Sequence, residues 1–399
     1  MHGLKIIFYI ISIFVAIHTA YLFVVAMFGF KKSKKIPASN NKGRFCILIP
    51  ARNEESVIAN LIKSLKNQNY PTDKLDLYVL LNNCTDDTEK IASECGAFVY
   101  KCKTTIKCKG DALSEFFNTD LASGYDAFCI FDADNVVDAN FIKKMNDALQ
   151  NNVPMAQGYR DGKNPKDSWL ASSYTIYFWL INRFLNNAHQ NLSLSAYITG
   201  TGCMISADVI KEMGFKTTTL TEDFEYSIMN ILTGKKIKLI NDAVFYDEHP
   251  NNFSTSLVQR KRWATGTNQL VAKYGKTLIK NTFKNKSFIS FDTLIYSLAP
   301  FSQFLTVICF ILFCIISILS GSFLNVIFSL LFTIIGSILF CLIIAIFAPM
   351  LEHKKLSDLN SKTIFTLWIF LLSYTLVNFV SIICPTKEWK AIKHNKNSL

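Results

Sequence analysis

The stretch Phe128-Cys129-Ile130-Phe131-Asp132-Ala133-Asp134 joins a short apolar run to two carboxylates one residue apart. The apolar run predicts a buried strand, and the acidic pair follows where that strand ends. Ligands of open α/β sheets bind beyond the carboxyl ends of the strands, so both side chains are expected to face a ligand crevice. Mg²⁺ and Mn²⁺ prefer hard oxygen ligands, which makes Asp132 and Asp134 candidate metal ligands. The alternative is a solvated loop, or a helix N-cap formed by Asp134 or Asn135.

Short apolar runs alternate with amphipathic stretches on both sides of this acidic pair. This alternation is typical of an α/β domain with a mostly parallel sheet, expected over residues 44–270. The predicted strands are Phe45–Ile49, Leu77–Leu81, Phe98–Tyr100, Phe128–Phe131 and Ile237–Ile240. The predicted helices between them are Glu54–Lys66, Asp87–Cys95 and Ala139–Leu149.

Four longer apolar runs lie outside this domain, in a chain of which 50% is hydrophobic and which contains 33 Phe. Roughly 20 apolar residues suffice to cross a bilayer as a helix. The predicted spans are Ile6–Phe28, Phe301–Leu319, Phe323–Phe347 and Ile364–Cys384. The expected organisation is therefore an N-terminal transmembrane helix within residues 1–30, a membrane region at 286–384 with about three spans, and a basic tail at 385–399. The segment Phe288–Leu298 is amphipathic and is expected along the membrane surface.

Basic residues outnumber acidic ones by 42 to 30, giving a net charge of +12. No nucleic-acid-binding motif accompanies the charge, so we expect membrane lipid and no nucleic acid as partner. Lys31 to Lys35 directly follow the first apolar run and predict a cytoplasmic anchor, with an external N-terminus. Four crossings would then place the C-terminus outside, whereas Lys387 to Lys396 favour the cytoplasm. Either a re-entrant segment or an exceptional tail would resolve this conflict.

Some residues that could suggest a metal or redox site receive a structural interpretation. The 11 cysteines are odd in number and scattered, which favours reduced thiols. Cys102 and Cys108 have no neighbouring partners for a zinc site and receive no function. His249, which follows Asp247-Glu248, is expected in a structural loop.

Two further motifs carry candidate chemistry. Thr221-Glu222-Asp223 opens an amphipathic helix, where acidic residues are favourable as capping groups, although a carboxylate could also act as a general base. The cluster Gln259-Arg260-Lys261-Arg262-Trp263 has two accounts as well. It could bind lipid headgroups, or it could contact a pyrophosphate through Arg and stack Trp on a sugar ring.

Several motifs in a fixed order resemble family 2 glycosyltransferases. They are Ile49-Pro-Ala-Arg-Asn-Glu-Glu55, Asn83-Cys-Thr-Asp-Asp-Thr88, Lys109-Gly110, Asp132-Ala-Asp134, Gly200-Thr-Gly202, Thr221-Glu-Asp223 and Gln259-x-x-Arg-Trp263. More narrowly, the chain looks like the membrane-integrated synthases of cellulose, hyaluronan, chitin and poly-N-acetylglucosamine. The resemblance implies a GT-A fold and an inverting hexosyltransferase that uses Mg²⁺ or Mn²⁺.

The resemblance also implies roles for individual residues. Asp223 matches the catalytic base, and Asp132 and Asp134 match the metal and diphosphate site. The nucleotide-sugar would contact Pro50, Ala51, Glu54, Asn82, Lys109, Asp132, Gln259 and Arg262, and the acceptor would contact Gly200, Thr201, Gly202 and Trp263. Asn82 departs from the family, which usually places an acid there, and Lys109 could equally be a surface lysine before a helix.

The resemblance implies transfer from a UDP-hexose or UDP-N-acetylhexosamine to a glycan or glycolipid acceptor. The leading hypothesis is a processive β-polysaccharide synthase in the cell membrane, multi-pass, with a cytoplasmic catalytic domain. A non-processive transferase that adds one sugar to a lipid-linked acceptor is the first alternative. A catalytically idle scaffold that binds lipid or glycan through Arg260 to Trp263 is the second.

Overall fold

The computed structural model describes residues 1–106 and 108–386. From residue 387 onward, the predicted basic tail lies outside the described residues. The described chain divides into two compact units. We call Phe28–Asn164 with Ile181–His249 the sheet unit, and Met1–Met27, Pro165–Leu180 and the described residues 250–386 the helical unit.

The sheet unit contains one eight-stranded mixed sheet with the strand order β3-β2-β1-β4-β7-β6-β8-β5. Its strands are β1 Phe45–Ala51, β2 Leu75–Leu81, β3 Phe98–Lys101, β4 Ala127–Ile130, β5 Val136–Val137, β6 Met155–Gly162, β7 Cys203–Ser206 and β8 Ile237–Asp247. The pairs β1–β2, β2–β3, β1–β4 and β6–β8 are parallel, and the other three are antiparallel. The expected α/β class is confirmed.

The helices of the described chain fall into both units. In chain order they are α1 His2–Met27, α2 Ile58–Lys66, α3 Thr88–Glu94, α4 Lys109–Phe117, α5 Phe141–Gln150, α6 Trp169–Leu180, α7 Ala188–Asn191, α8 Ala207–Met213, α9 Glu222–Leu232, α10 Phe253–Lys284, α11 Phe288–Ser297, α12 Ala299–Leu319, α13 Phe323–Leu351 and α14 Thr363–Ile383. A π-helical segment, Ile181–Asn187, precedes α7. Short 3₁₀ turns occupy Phe28–Phe30, Thr72–Lys74, Asp120–Ala122 and Leu356–Asp358.

All five predicted strands are present, but the sequence patterns missed β5, β6 and β7. The strand β6 escaped because it buries polar side chains, among them Gln157, Arg160 and Asp161, which interrupt any apolar run. The last predicted strand continues to Asp247 rather than ending at Ile240. The helices α6, α7 and α8 were also not predicted.

Burial on both faces explains the continuous apolar sequence of the central strand β1. Ile47 and Ile49 belong to one core cluster, which includes residues of α2 and α5. Cys46 and Leu48 belong to the other, which includes residues of α4, α8 and α9. Successive strand residues point to opposite faces, so a strand covered on both sides carries apolar residues throughout. The strand ends are thereby held rigidly where the polar loops begin.

Among the described residues, four helices, which lie largely in the helical unit, are long and apolar enough to cross a membrane: His2–Phe30, Ala299–Leu319, Phe323–Leu351 and Thr363–Ile383. They coincide with the four predicted apolar runs. The segment after Trp263 is helical to Lys284 as part of α10. Within the same unit α1 contacts α11, because Tyr21 donates a hydrogen bond to Asp292 Oδ1 at 2.9 Å.

Candidate active site

The loop after β4 holds the two candidate metal ligands. The Asp132 N–H donates to Thr201 Oγ1 at 2.9 Å. The side-chain amide of Asn135 donates to Asp134 Oδ1 at 3.1 Å and to Asp247 Oδ1 at 2.7 Å. The loop leads into the strand β5 rather than into a helix, so the N-cap alternative for Asp134 or Asn135 is wrong. Both carboxylates are partly exposed at the strand end, as the sequence predicted.

Lys109 is the first residue of α4 and binds this loop directly. Its Nζ lies 2.5 Å from Asp132 Oδ1 and donates to the Gly200 carbonyl at 2.7 Å. Its side chain is only 15% exposed, so the surface-lysine alternative is wrong. Burial acts to lower the pKa of Lys109, but the charge and hydrogen bond of Asp132 outweigh burial and raise that pKa above its usual value. Lys109 is therefore a fixed positive charge beside Asp132.

Asp223 approaches the same place from α9. A Cβ built on Gly200 would lie 3.4 Å from Asp223 Oδ2, so this carboxylate nearly touches the Gly200 backbone. The Gly200 carbonyl in turn accepts from Lys109. The sheet unit thus brings Asp223, Gly200, Lys109 and Asp132 together, although they come from four separate segments of sequence.

The start of α9 is held by a carboxylate that sequence reasoning missed. Glu225 is fully buried, and its Oε2 accepts from the N–H groups of Thr218 at 2.8 Å and Thr219 at 2.7 Å. The N-cap residue Thr221 makes no side-chain cap hydrogen bond. Glu225 therefore helps to fix the loop before α9. The sequence signal that could have indicated this contact is an acidic residue in the first turn of a helix that follows a run of threonines.

The Gly200–Gly202 loop has backbone conformations that require glycine. Gly200 has φ +89° and Gly202 has φ +62°, and a Cβ at Gly202 would lie 2.2 Å from the Phe245 ring. Between them the Thr201 side chain is fully buried. Its hydroxyl accepts from Asp132 N–H and donates to Asn135 Oδ1, so it holds the metal-ligand loop. The contact of Thr201 with an acceptor stays a prediction.

The loops after β1 and β2 are joined where the nucleotide is expected. The Asn82 N–H donates to the Ala51 carbonyl at 2.9 Å, and the Glu54 N–H donates to Thr88 Oγ1 at 2.8 Å. Pro50 and Ala51 end β1, and Asn82 follows β2. Asn82 is 8% exposed, and its Oδ1 has no hydrogen-bond partner in the described residues. Such an acceptor is costly to bury unless a ligand or water uses it.

Buried polar residues lie beneath the Asp134 loop. Arg160 forms an ion pair with Asp247, the residue that accepts from Asn135. His249 is buried, with Nδ1 3.5 Å from Asp247 Oδ2. Burial lowers the pKa of His249 to about 4, with Asp247 opposing the effect, so the ring is neutral near pH 7. These contacts agree with the structural interpretation of His249.

The donor set around Asp132 and Asp134 suits a divalent cation shared with a diphosphate. In the part of the chain that the structure describes, no cluster of three or more His, Cys, Asp or Glu side chains could hold a metal by itself. Mg²⁺ in nucleotide sites is typically bound by one or two carboxylates, with phosphates and water completing the shell. Two half-exposed carboxylates at a strand end fit that pattern.

The Gln259 motif belongs to the helical unit, on α10. Tyr174 OH donates to Gln259 Oε1 at 3.2 Å, and the Trp263 ring contacts the Tyr174 and Phe178 rings edge-on. Arg262 is half-buried. It stays a prediction that these motif residues, Gln259, Arg262 and Trp263, approach the carboxylates of the sheet unit.

Arg260 has an unexpected place within this motif. It is fully buried and donates from Nη1 to the Phe370 carbonyl at 3.0 Å and to Ser373 Oγ at 2.7 Å, both on α14. Its guanidinium lies 4.6 Å from the Phe370 ring centroid and 4.7 Å from that of Tyr374. Arg260 therefore packs α10 onto α14 and is not a lipid-headgroup contact.

Comparison with known proteins identifies the family. Residues 43–266 match the sequence profile described as "Glycosyltransferase like family 2", which is more than half of the 399 residues. The chain belongs to this glycosyltransferase family. The resemblance inferred from the ordered motifs is confirmed, and with it the expectation of a glycosyltransferase domain.

Named relatives and one solved structure agree with this assignment. The chain is 28% identical over 66% of its length to the probable glycosyltransferase YdaM of Bacillus subtilis, covering 63% of that protein. It is 24% identical over 64% of its length to a beta-monoglucosyldiacylglycerol synthase of Nostoc, covering 55% of it. The matches thus span less than two thirds of these relatives' lengths.

The solved structure is the mannosyltransferase PcManGT from Pyrobaculum calidifontis, in complex with GDP-Man and Mn²⁺. The TM-score is 0.64 at 16% identity, over 94% of this chain and 100% of that one. At this identity the likeness concerns the fold. It confirms the GT-A architecture that the sequence motifs implied.

Proposed function

We propose that this chain is an inverting, metal-dependent hexosyltransferase that moves a sugar from a nucleotide-sugar donor onto a glycan. The observation that carries the proposal is the convergence of Asp223, Gly200, Lys109 and Asp132 in the sheet unit, with Asp134 on the same loop. This arrangement offers a basic carboxylate beside a site for a charged diphosphate. Membership of glycosyltransferase family 2 supports the reaction class.

In the proposed reaction an acceptor hydroxyl attacks the anomeric carbon of the donor sugar. The new bond joins the acceptor oxygen to that carbon, and the bond from the carbon to the diphosphate oxygen breaks. Asp223 takes the hydroxyl proton as general base, and the nucleoside diphosphate leaves with the bonding electron pair. Attack from the face opposite the leaving group inverts the anomeric centre without a covalent enzyme intermediate.

The donor end is assigned to the loops after β1, β2 and β4. Asn82, with its buried and unpartnered Oδ1, would contact the nucleoside. Asp132 and Asp134 would hold Mg²⁺ or Mn²⁺, which when bound would offset the negative charge of the departing diphosphate. Lys109 and Arg262 would add fixed positive charge at the diphosphate. The donor we expect is a UDP-hexose or UDP-N-acetylhexosamine, although the PcManGT complex contains GDP-Man and Mn²⁺.

A processive β-polysaccharide synthase is our leading proposal for the acceptor side. The Gln259-x-x-Arg262-Trp263 motif supports it, because Trp263 would stack on the terminal sugar of the growing glycan. Four apolar helices that could span a membrane would suit export of the product. We place the protein in the cell membrane, multi-pass, with the sheet unit cytoplasmic, where nucleotide sugars are made.

A single transfer to a lipid-linked acceptor is the second candidate. The relative named beta-monoglucosyldiacylglycerol synthase, aligned over 64% of this chain, favours it. Product length separates the two candidates. Purified full-length protein in detergent would receive labelled UDP-hexoses, UDP-N-acetylhexosamines and GDP-mannose, each with Mg²⁺ or Mn²⁺, with and without a glycolipid acceptor.

A ladder of long glycans supports the processive synthase, and a glycolipid extended by one sugar supports the alternative. Absence of transfer from any of these donors under all conditions would contradict the proposed reaction. Loss of transfer on metal chelation, restored by added Mn²⁺ or Mg²⁺, is the result expected of a metal-dependent enzyme.

A further inference from the structure

The segment from the Gln259 motif to α11, which precedes the apolar helix α12, is strongly basic. From Pro250 to Phe291 the sequence contains no Asp or Glu. Its basic residues are Arg260, Lys261, Arg262, Lys273, Lys276, Lys280, Lys284 and Lys286. The catalytic proposal uses only Arg262 among them, so most of this charge has no assigned role.

Three of these lysines form a stripe on the C-terminal half of α10. Lys276, Lys280 and Lys284 are all exposed and recur every four residues. At 3.6 residues per turn, each lies only about 40° around the helix from the one before. Gly275 and Leu278 are buried on the other side of the helix. We call Lys276, Lys280 and Lys284 the lysine stripe.

Large apolar side chains are exposed beside the lysine stripe. Ile279 is 46% exposed, Phe283 is 79% exposed, and Phe288 at the start of α11 is 58% exposed. A basic face with adjacent exposed aromatic and aliphatic residues is the composition of a helix that lies at a membrane interface. A soluble polyanion would be recognised by the charge alone and would leave these apolar groups in water.

The position of the stripe in the helical unit agrees with a membrane interface. Asn281 donates to Ser290 Oγ at 2.7 Å, which fixes the turn between α10 and α11. Two residues after α11 ends, the apolar helix α12 begins at Ala299 and continues for 21 residues. The lysine stripe therefore lies a short distance in sequence before a candidate span.

We propose that the lysine stripe, with Ile279 and Phe283, is a binding surface for the headgroups of anionic phospholipids. The lysines would pair with the headgroup charges while the apolar side chains enter the boundary of the acyl chains. Each lysine near an anionic surface contributes about a fivefold change in association. The inference depends on membrane placement and not on the transfer chemistry.

The test uses full-length protein in lipid nanodiscs with Phe283→Trp as a fluorescent reporter, since the Phe283 side chain is largely exposed. Quenching of the added fluorescence by brominated phosphatidylglycerol is compared with quenching by brominated phosphatidylcholine, against the parent protein. We expect a clear preference for phosphatidylglycerol. Replacing the lysine stripe by Gln should reduce that preference roughly tenfold or more, and replacing it by Arg should keep it.

A matched control changes three exposed lysines of the sheet unit, Lys63, Lys90 and Lys216, to Gln. This control should leave the lipid preference unchanged. An unchanged preference for phosphatidylglycerol after the lysine stripe is replaced by Gln, or a reporter that neither lipid quenches, would overturn the inference. Protection of the reporter by soluble polyphosphate in place of lipid would also overturn it and assign the stripe to a soluble anion. Because the readout is lipid contact, a failure here is distinct from a failure of the transfer reaction.

Discussion

Lys109 Nζ lies 2.5 Å from Asp132 Oδ1, so the lysine that begins α4 forms an ion pair with a carboxylate at the end of β4. The same ammonium group donates to the Gly200 carbonyl, and Gly200 lies against Asp223. Lys109 thus lies between the proposed metal site and the proposed base. The positive charge of Lys109 can balance the negative charge of Asp132 before the donor binds, and that of the diphosphate once the donor is bound.

Lys109→Met should strongly reduce transfer, because it removes a preorganised positive charge from the proposed diphosphate site. Losing one such electrostatic contact typically costs on the order of 10²-fold in turnover. Steady-state kinetics would measure the loss. Lys101→Met, which changes a lysine that is 68% exposed, is the control and should retain activity. Normal turnover in Lys109→Met would remove this lysine from the mechanism.

Asp134→Ala should abolish transfer and sharply weaken metal-dependent binding of the nucleotide. The reason is that only Asp132 would remain as a carboxylate ligand on this loop. Titration of the nucleoside diphosphate with and without Mn²⁺ would measure the effect. Asp208→Ala changes a carboxylate that is 95% exposed on α8 and should behave as the parent. Unchanged metal dependence in Asp134→Ala would refute the assignment of the metal site.

Acidification should destabilise the protein through His249, whose pKa falls from 6.5 to about 4 on burial. Between these two values the unfolded chain binds a proton that the folded chain does not. The free energy of unfolding therefore decreases as the pH falls through this window and is unaffected by His249 above it. His249→Asn should show a shallower decrease of Tm across this window.

The control for this pH experiment is His353→Asn, at an exposed position outside the sheet unit. In this control variant, Tm should decrease with falling pH as steeply as in the parent protein. A parent Tm that does not change across the window, or a slope that His249→Asn leaves unaltered, would show that His249 is not the titrating group.

A topology reporter placed near Asn40 should score as cytoplasmic, because Lys31 to Lys35 follow the first apolar helix. A reporter after His394, outside the described residues, distinguishes the two arrangements of the remaining helices. An external result there supports four full crossings, and a cytoplasmic one supports a re-entrant segment. An external result at Asn40 would contradict the proposed orientation of the catalytic domain.

The apolar sequence patterns predicted β1, β2 and β4, the strands that lead to Ala51, Asn82 and Asp132. Strands β1 and β4 are buried on both faces, and β2 carries an apolar run from Leu77 to Leu81, so the polar residues that follow these strands are easily recognised. By contrast, β6 buries Gln157, Arg160 and Asp161, whose partners lie in other segments. Such a strand shows neither the alternation of apolar and polar residues nor the continuous apolar run by which strands are recognised in a sequence.

The supporting contacts of the site could not be predicted for a related reason. Asn135 and Asp247 are 112 positions apart in sequence, and Thr201 meets Asn135 from a third segment. Nothing local in the sequence marks these residues as partners. Arg260 is a further case, since the sequence placed it in a cluster expected to contact lipid or a pyrophosphate, whereas the Phe370 carbonyl and the Phe370 and Tyr374 rings of α14 contact it.

The central claim is that Asp223 acts as the general base. Asp223→Asn keeps the size and hydrogen-bonding capacity of the side chain but removes its basicity. If Asp223 takes the acceptor proton, transfer should fall by about 10² to 10⁴ while nucleotide affinity changes little. Asn caps helices about as well as Asp, so a purely structural role would leave transfer nearly normal.

The most direct measurement is therefore the transfer rate of Asp223→Asn together with its affinity for the donor nucleotide, with Asp208→Asn as the control. Our account predicts a large loss of transfer, retained nucleotide binding and an unaffected control. Near-normal transfer by Asp223→Asn would contradict it.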